Sequence, residues 1–331
     1  MNKITICMLL GVVMMAITTP SISQEETAPI VSVMIDVDTP PSPNNEEIES
    51  AETNLHTIFG EINNRGGSGT ILLTQDVTSS RIRLLLAQYS VLSTFEFAVS
   101  GSHSDDKLST LPLSDQEALI ESSVSYAEAA NVCGMSEVDT TGFMPPGFDQ
   151  NEDTYRAVDN LGFGYDAGFQ AGLIYAPGHE EDVWPYQVEG YNFSALPVST
   201  VEVDGELLPL YDKKMAEEGV GADEWAEILK AKLDASAANE EPMVVLISTS
   251  TSGTDDYLSA LEQFLDYAVS ENAAFVNARD LVTMAKTGSL IPPESTTSEC
   301  TTCGEDEGTE IEIALVEIPE SDNETTSSTT G

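Results

Sequence analysis

Apolar residues fall in two alternating rhythms between residues 31 and 286. Val31-Ser-Val-Met-Ile-Asp36 is a short apolar run followed by Thr39-Pro-Pro-Ser-Pro43, which predicts a buried strand and then a loop. Ile48, Leu55, Phe59 and Ile62 recur at helical spacing, and Arg65-Gly-Gly-Ser-Gly69 ends that helix. Thr70-Ile-Leu-Leu-Thr74 predicts a second buried strand, residues 80–89 a helix, and Phe95-Glu-Phe97-Ala-Val99 an alternating strand. Ser114-Asp-Gln-Glu117 has the form of a capping box opening a helix toward Asn131. Gly142-Phe-Met-Pro-Pro146 reads as a strand end, residues 151–160 as a helix, and Phe163–Tyr165 and Leu173–Tyr175 as extended chain.

The last third carries the plainest pattern. Trp225, Ile228, Leu229 and Leu233 form one helix face, and Met243-Val-Val-Leu-Ile247 is a fully apolar strand. Leu258, Leu261, Leu265 and Ala268 mark another helix, Ala274–Val276 a strand, and residues 278–286 a last helix. Repeated β-then-α units predict parallel strands covered by helices, as an open sheet or a closed barrel. In either form the functional end lies at the C-terminal ends of the strands.

The two ends of the chain read differently. Residues 1–23 have the form of a signal peptide: Lys3, an apolar stretch from Ile4 to Ile17, and small residues at Ser21-Ile-Ser23. That stretch is shorter than the ~20 residues of a membrane span, and no later segment is apolar enough to cross. Residues 24–30 form a polar leader, and residues 289–331 an acidic Ser/Thr-rich tail with little capacity to fold alone. The expected location is secreted or at the cell surface. Export permits disulfides, so Cys300-Thr-Thr-Cys303 in the tail is read as a local disulfide or as free thiols, and Cys133 as a small core residue.

Lys plus Arg number 12 against 57 Asp plus Glu, a formal net charge of −45 over 331 residues. Such a chain is repelled by nucleic acid and by anionic membrane surfaces. Most of its carboxylates must be solvated, while 41% hydrophobic residues allow a sizeable core.

The order of segments resembles the polysaccharide deacetylase family, the NodB-homology domain of carbohydrate esterases, over residues 31–288. The resemblance is carried by Val31–Asp38, by Thr70–Val77 and by Phe95-Glu-Phe-Ala-Val-Ser-Gly-Ser-His-Ser104 with Leu108-Ser-Thr-Leu111. Phe143-Met-Pro-Pro-Gly147, Tyr155–Asp166, Val244-Val-Leu-Ile-Ser248 and Ala274–Leu281 complete it. It implies an α/β fold, a distorted (β/α) barrel of about seven strands. It also implies a metal-dependent hydrolase of C–N bonds, in which zinc or another divalent metal held by one carboxylate and two imidazoles activates water.

On that resemblance Asp36 matches the catalytic base. Asp38 matches the metal carboxylate in an Asp-x-Asp variant of the motif, whereas the adjacent-Asp variant would put it at Val37. The other positions depart from the family. Ser100 and Ser104 stand where two histidines four apart are expected, and His103 is one residue out of register, which in extended chain turns it to the opposite face. Met144 replaces an arginine and Ser248 the imidazole acid. Among the 3 histidines, His56 falls in a helix and His179 in a polar loop. A serine hydroxyl is a far weaker zinc ligand than imidazole and is no acid near neutral pH.

The expectation is an exported NodB-like domain that binds cell-surface or extracellular glycan, with its catalysis and its metal lost. One alternative is an active metal-dependent deacetylase with a rearranged site of Asp36, Asp38 and His103. Another is a non-catalytic envelope or adhesion component. Trp184 and Tyr186, in Glu180-Glu-Asp-Val-Trp-Pro-Tyr186, are candidate stacking surfaces for sugar rings, and loop packing explains them equally well.

Overall fold

The computed structural model of the chain describes residues 28–38, 43–75, 82, 84–86, 95–129 and 142–292. The segment expected to be a signal peptide, most of the expected leader, residues 39–42, most of the helix expected at 80–89, Cys133, Cys300, Cys303 and the tail beyond residue 292 lie outside the described residues.

The chain begins with β1 (Ile30–Asp36), α1 (Asn45–Asn64), β2 (Gly69–Leu73) and β3 (Phe95–Val99). Next come α2 (Leu113–Ala129), β4 (Gly142–Phe143), α3 (Glu152–Asn160) and β5 (Tyr165–Asp166). Short pieces follow: β6 (Tyr186–Gln187), β7 (Ser194–Ala195), the hairpin of β8 (Thr200–Val203) and β9 (Glu206–Pro209), and α4 (Asp212–Glu217). The chain closes with α5 (Ala222–Ala238), β10 (Pro242–Ser248), α6 (Asp255–Ser270), β11 (Ala274–Phe275) and α7 (Ala278–Thr287).

The main sheet runs β10-β1-β2-β3-β4-β5-β7-β6, with β11 also on β1, and every pair is parallel except β6 with β7. The chain after β7 links its two sides. The Ala171 amide donates to the Val198 carbonyl at 3.0 Å, the Ser199 amide to Val244 at 3.0 Å, and Tyr211 bridges Leu246 in parallel. The sheet is therefore the distorted (β/α) barrel, with seven parallel strands from β10 to β7.

Strand alternation sorts the side chains between two cores. Met34, Leu72, Ala98, Tyr165, Leu196, Val244 and Leu246 meet inside the barrel. Val33, Ile35, Ile71, Phe97, Val245 and Ile247 face outward onto Leu55 and Ile58 of α1, Leu229 of α5 and Leu261 and Phe264 of α6. Gly142 makes room for the Tyr165 ring: a Cβ there would lie 1.8 Å from Tyr165 Cζ.

The N-terminal end of the barrel is plugged by α7. Glu96 points inward and accepts hydrogen bonds from Tyr165 Oη (3.0 Å), Thr70 Oγ1 (3.2 Å) and the Arg279 amide (2.8 Å). Thr70 Oγ1 accepts from the Ala278 amide at 2.8 Å, so two orphan donors of the α7 N-terminus are satisfied by strand side chains. Burial pushes the Glu96 carboxyl up to about 7, and the Arg279 charge pulls the other way.

Three local expectations differ from the structure. Ser114 lies inside α2, which opens at Leu113, and its hydroxyl bonds Asp115 at 3.2 Å instead of capping the helix. Leu173–Tyr175 belongs to a tight turn closed by a single Gln170–Ile174 bridge, not to a strand. The β8–β9 hairpin was not expected, although its turn, Asp204-Gly205 with φ of 51° and 85°, is the Asp-Gly type that matches strand twist.

Candidate functional site

At the C-terminal end of the strands lies a cavity of about 490 Å³. Asp36, Ser100, Ser104 and Met144 all line it, so the structure brings these four sequence-selected positions together. The cause is strand parity. Asp36 continues the inward row of Ser32 and Met34, Ser100 that of Glu96 and Ala98, and Ser248 that of Val244 and Leu246. The wall is mixed: Leu72, Pro145, Pro146, Phe148, Ile174 and Leu208 share it with polar and charged side chains such as Gln170, Glu206 and Glu217. Leu173 and Leu207 are exposed on its rim.

Two residues that the sequence reading did not select complete the polar end. Tyr211 Oη donates to Asp36 Oδ2 at 2.8 Å. Lys213 Nζ lies 2.6 Å from Asp38 Oδ2 as an ion pair, and both Tyr211 and Lys213 line the cavity. Their one signal in the sequence is Lys213-Lys214, adjacent cations in a chain with only 12 basic residues. Lys214 is engaged by Glu218 at 2.6 Å.

Asp212 positions this pair. Its buried carboxylate accepts from the Ser248 amide at 2.9 and 3.0 Å and from the Ser252 amide at 3.0 Å. It thereby pins the first turn of α4 to the loop after β10. Burial pushes Asp212 up to about 7, while hydrogen bonds donated to it pull the other way. On the opposite wall, Gly147 and Phe148 both adopt left-handed backbone (φ 58° and 59°), and the Phe148 ring meets Tyr211 edge-on at 6.2 Å.

Asp36 is half-buried. Burial and the neighbouring Asp38 charge raise its carboxyl to about 6, against the hydrogen bond from Tyr211 and the Lys213 charge. Asp38 is held from three sides: its amide donates to Thr249 Oγ1 (3.0 Å), and its Oδ2 takes Ser250 Oγ (3.0 Å) as well as Lys213. Ser248 is buried, with its Oγ 2.8 Å from Ser250 Oγ, so a hydroxyl pair stands between that position and Asp38.

The other sequence candidates lie elsewhere. His103 is exposed, outside the cavity lining, with its amide bonded to Asp106 at 2.8 Å. Trp184 donates from its indole to the Glu240 carbonyl at 3.3 Å, just before β10 begins, which puts it at the barrel end opposite Asp36 and Ser248. Tyr186 stacks on the His179 ring at 3.9 Å within an aromatic cluster under the helices, and neither aromatic lines the cavity.

No family model and no curated protein sequence matches the chain. Solved structures do. A Mycobacterium smegmatis protein assigned as a polysaccharide deacetylase superposes with a TM-score of 0.61 at 15% identity, over 82% of this chain and 95% of that one. A Pseudomonas aeruginosa PAO1 protein with the same assignment gives 0.60 at 12% identity, over 78% and 91%. PuuE allantoinase gives 0.59 at 16% identity, over 78% and 91%. The chain has the NodB-like polysaccharide deacetylase fold.

The divalent metal that this resemblance implies does not fit the residues present. Serines occupy the imidazole positions, and the carboxylate left for a metal is paired with an ammonium. Among the described residues, no group of three or more His, Cys, Asp or Glu side chains could hold a metal ion.

Proposed function

We propose that the chain is an exported NodB-like domain that binds a glycan at the mouth of its barrel and does not deacetylate it. The observation that carries this reading is the engagement of both strand-end carboxylates: Asp36 by Tyr211 and Asp38 by Lys213. A carboxylate held by an ammonium is not free to ligate, and serine supplies no imidazole to protonate a leaving amine. The cavity itself is kept, and its lining mixes apolar residues suited to a sugar face with polar groups suited to hydroxyls. The likeness in fold to proteins assigned as polysaccharide deacetylases supports a carbohydrate ligand.

The rival reading, an active deacetylase, is favoured by one observation: Asp36, at about 6, lies in the range of a general base. Calorimetric titration with N-acetylated oligosaccharides, together with an acetate-release assay in the presence of zinc or cobalt, separates the two. The expected outcome is binding without acetate release. Leu207→Asp on the cavity rim should weaken binding at least several-fold, whereas Asp36→Asn should leave it largely intact. Metal-dependent release by wild type that Asp36→Asn abolishes, typically a ~10²–10⁴-fold loss, overturns the proposal in favour of the enzyme. No binding to any oligosaccharide tested overturns the glycan reading.

A further inference from the structure

We infer that the ammonium of Lys213 is the resident cation of this site, and that it keeps divalent metal off Asp38. The inference rests on the placement of Lys213 and does not depend on which ligand the cavity takes.

Lys213 is the second residue of α4, at the positive end of a helix, where a cation is disfavoured unless carboxylates hold it. Two do. Asp38 Oδ2 is 2.6 Å from Nζ, and the Asp36 and Glu217 charges also favour the ammonium. The backbone beneath is fixed by Asp212, which ties α4 to Ser248 and Ser252, so Lys213 is presented from an anchored turn. The Asp38 oxygen that takes the ammonium also takes Ser250 Oγ at 3.0 Å, which leaves it little capacity for a metal.

The donors at this end of the cavity are all oxygens: Asp38 on the ammonium, Ser250 on Asp38, Tyr211 on Asp36, and Ser100 in the same lining. Such a set suits a hard cation such as Mn²⁺, Mg²⁺ or Ca²⁺ better than zinc, which prefers imidazole and thiolate. Removing the Lys213 charge would leave two carboxylates with no cation between them and hard oxygen donors close by. Lys213 also lines the cavity and spends one of its three N–H donors on Asp38, which leaves two for a ligand oxygen. Asp36, Glu206 and Glu217 line the same cavity and disfavour an anionic ligand, so the matching group is an uncharged hydroxyl or carbonyl.

The test is Mn²⁺ titration of the full chain after chelator treatment, by calorimetry at high salt to suppress diffuse binding to the acidic surface. Lys213→Met should bind one Mn²⁺ at least tenfold more tightly than wild type. Lys213→Arg, which keeps the charge, should stay at the wild-type level. Adding Asp38→Asn to Lys213→Met should remove the gain. Lys213→Met binding no tighter than wild type overturns the inference. So does stoichiometric metal on wild type that Asp38→Asn releases, a measurement that stands even if the Lys213 variants fail to fold.

Discussion

Asp212 shows how one buried side chain can set a site without entering it. It accepts two amides, from the last residue of β10 and from the loop after it, and starts the helix that carries Lys213. Replacing it with alanine leaves the Ser248 and Ser252 amides without an acceptor in a buried place. Each such loss costs about 1–3 kcal/mol. Asp212→Ala should therefore lower the urea midpoint by an amount equivalent to about 2–6 kcal/mol. An unchanged midpoint would show that these amides find other partners. Tyr211 and Lys213 escaped the sequence reading because nothing within reach along the chain explains them. The residues that do, Asp36 and Asp38, lie 175 positions away.

Elements with enough length to show a period were legible. β1, β10, α1, α5 and α6 appear where their apolar positions place them; Leu55, Phe59, Ile62, Trp225, Leu229, Leu233, Leu261, Leu265 and Ala268 of the expected faces are buried, while Ile48, Ile228 and Leu258 are only partly so. The two-residue strands β6 and β7 carry too little chain for a period to register. The β8–β9 hairpin overhangs the cavity through Leu207, Leu208 and Pro209, and its register depends on Gly205 at φ 85°. A side chain at that φ is strained, so Gly205→Val should destabilise the hairpin by about 1–2 kcal/mol. The measurable consequence is faster amide exchange in residues 200–209 with the rest of the barrel unchanged. Protection equal to wild type would mean that the hairpin is held by its packing and not by its turn.

At the scale of the whole molecule, acidity acts inside as well as outside. Glu96, Asp166 and Asp212 are all buried, and burial pushes each up to about 7. Asp166 Oδ2 makes no hydrogen bond among the described residues. A carboxyl whose pKa is higher folded than unfolded binds its proton more tightly in the native state. Its contribution is complete below the unfolded value near 4 and is lost as pH rises through about 7. The net charge of −45 grows over the same interval and works in the same direction. Stability should therefore fall from about pH 4.5 to about pH 7. Glu96→Gln should make that fall shallower, by up to about 3 kcal/mol. Urea denaturation at a series of pH values measures both, and stability that rises across the interval would contradict the assignment.

The order of the longer strands and helices, the core-facing side of each and the inward parity of Asp36, Ser100 and Ser248 were determined by the sequence itself. The physical reason is that periods of 2 and 3.6 residues report locally which side of an element meets the core. The replacement of imidazole by serine was equally visible there, since it is a matter of residue identity once the segments are ordered. What holds the two carboxylates was decided only by tertiary structure. The chain after β7 crosses to β10, and that crossing delivers Tyr211 to Asp36 and Lys213 to Asp38. The position of a crossing depends on the register of every strand before it. No local pattern encodes that sum, so the cation of this site could be recognised only once the barrel was assembled.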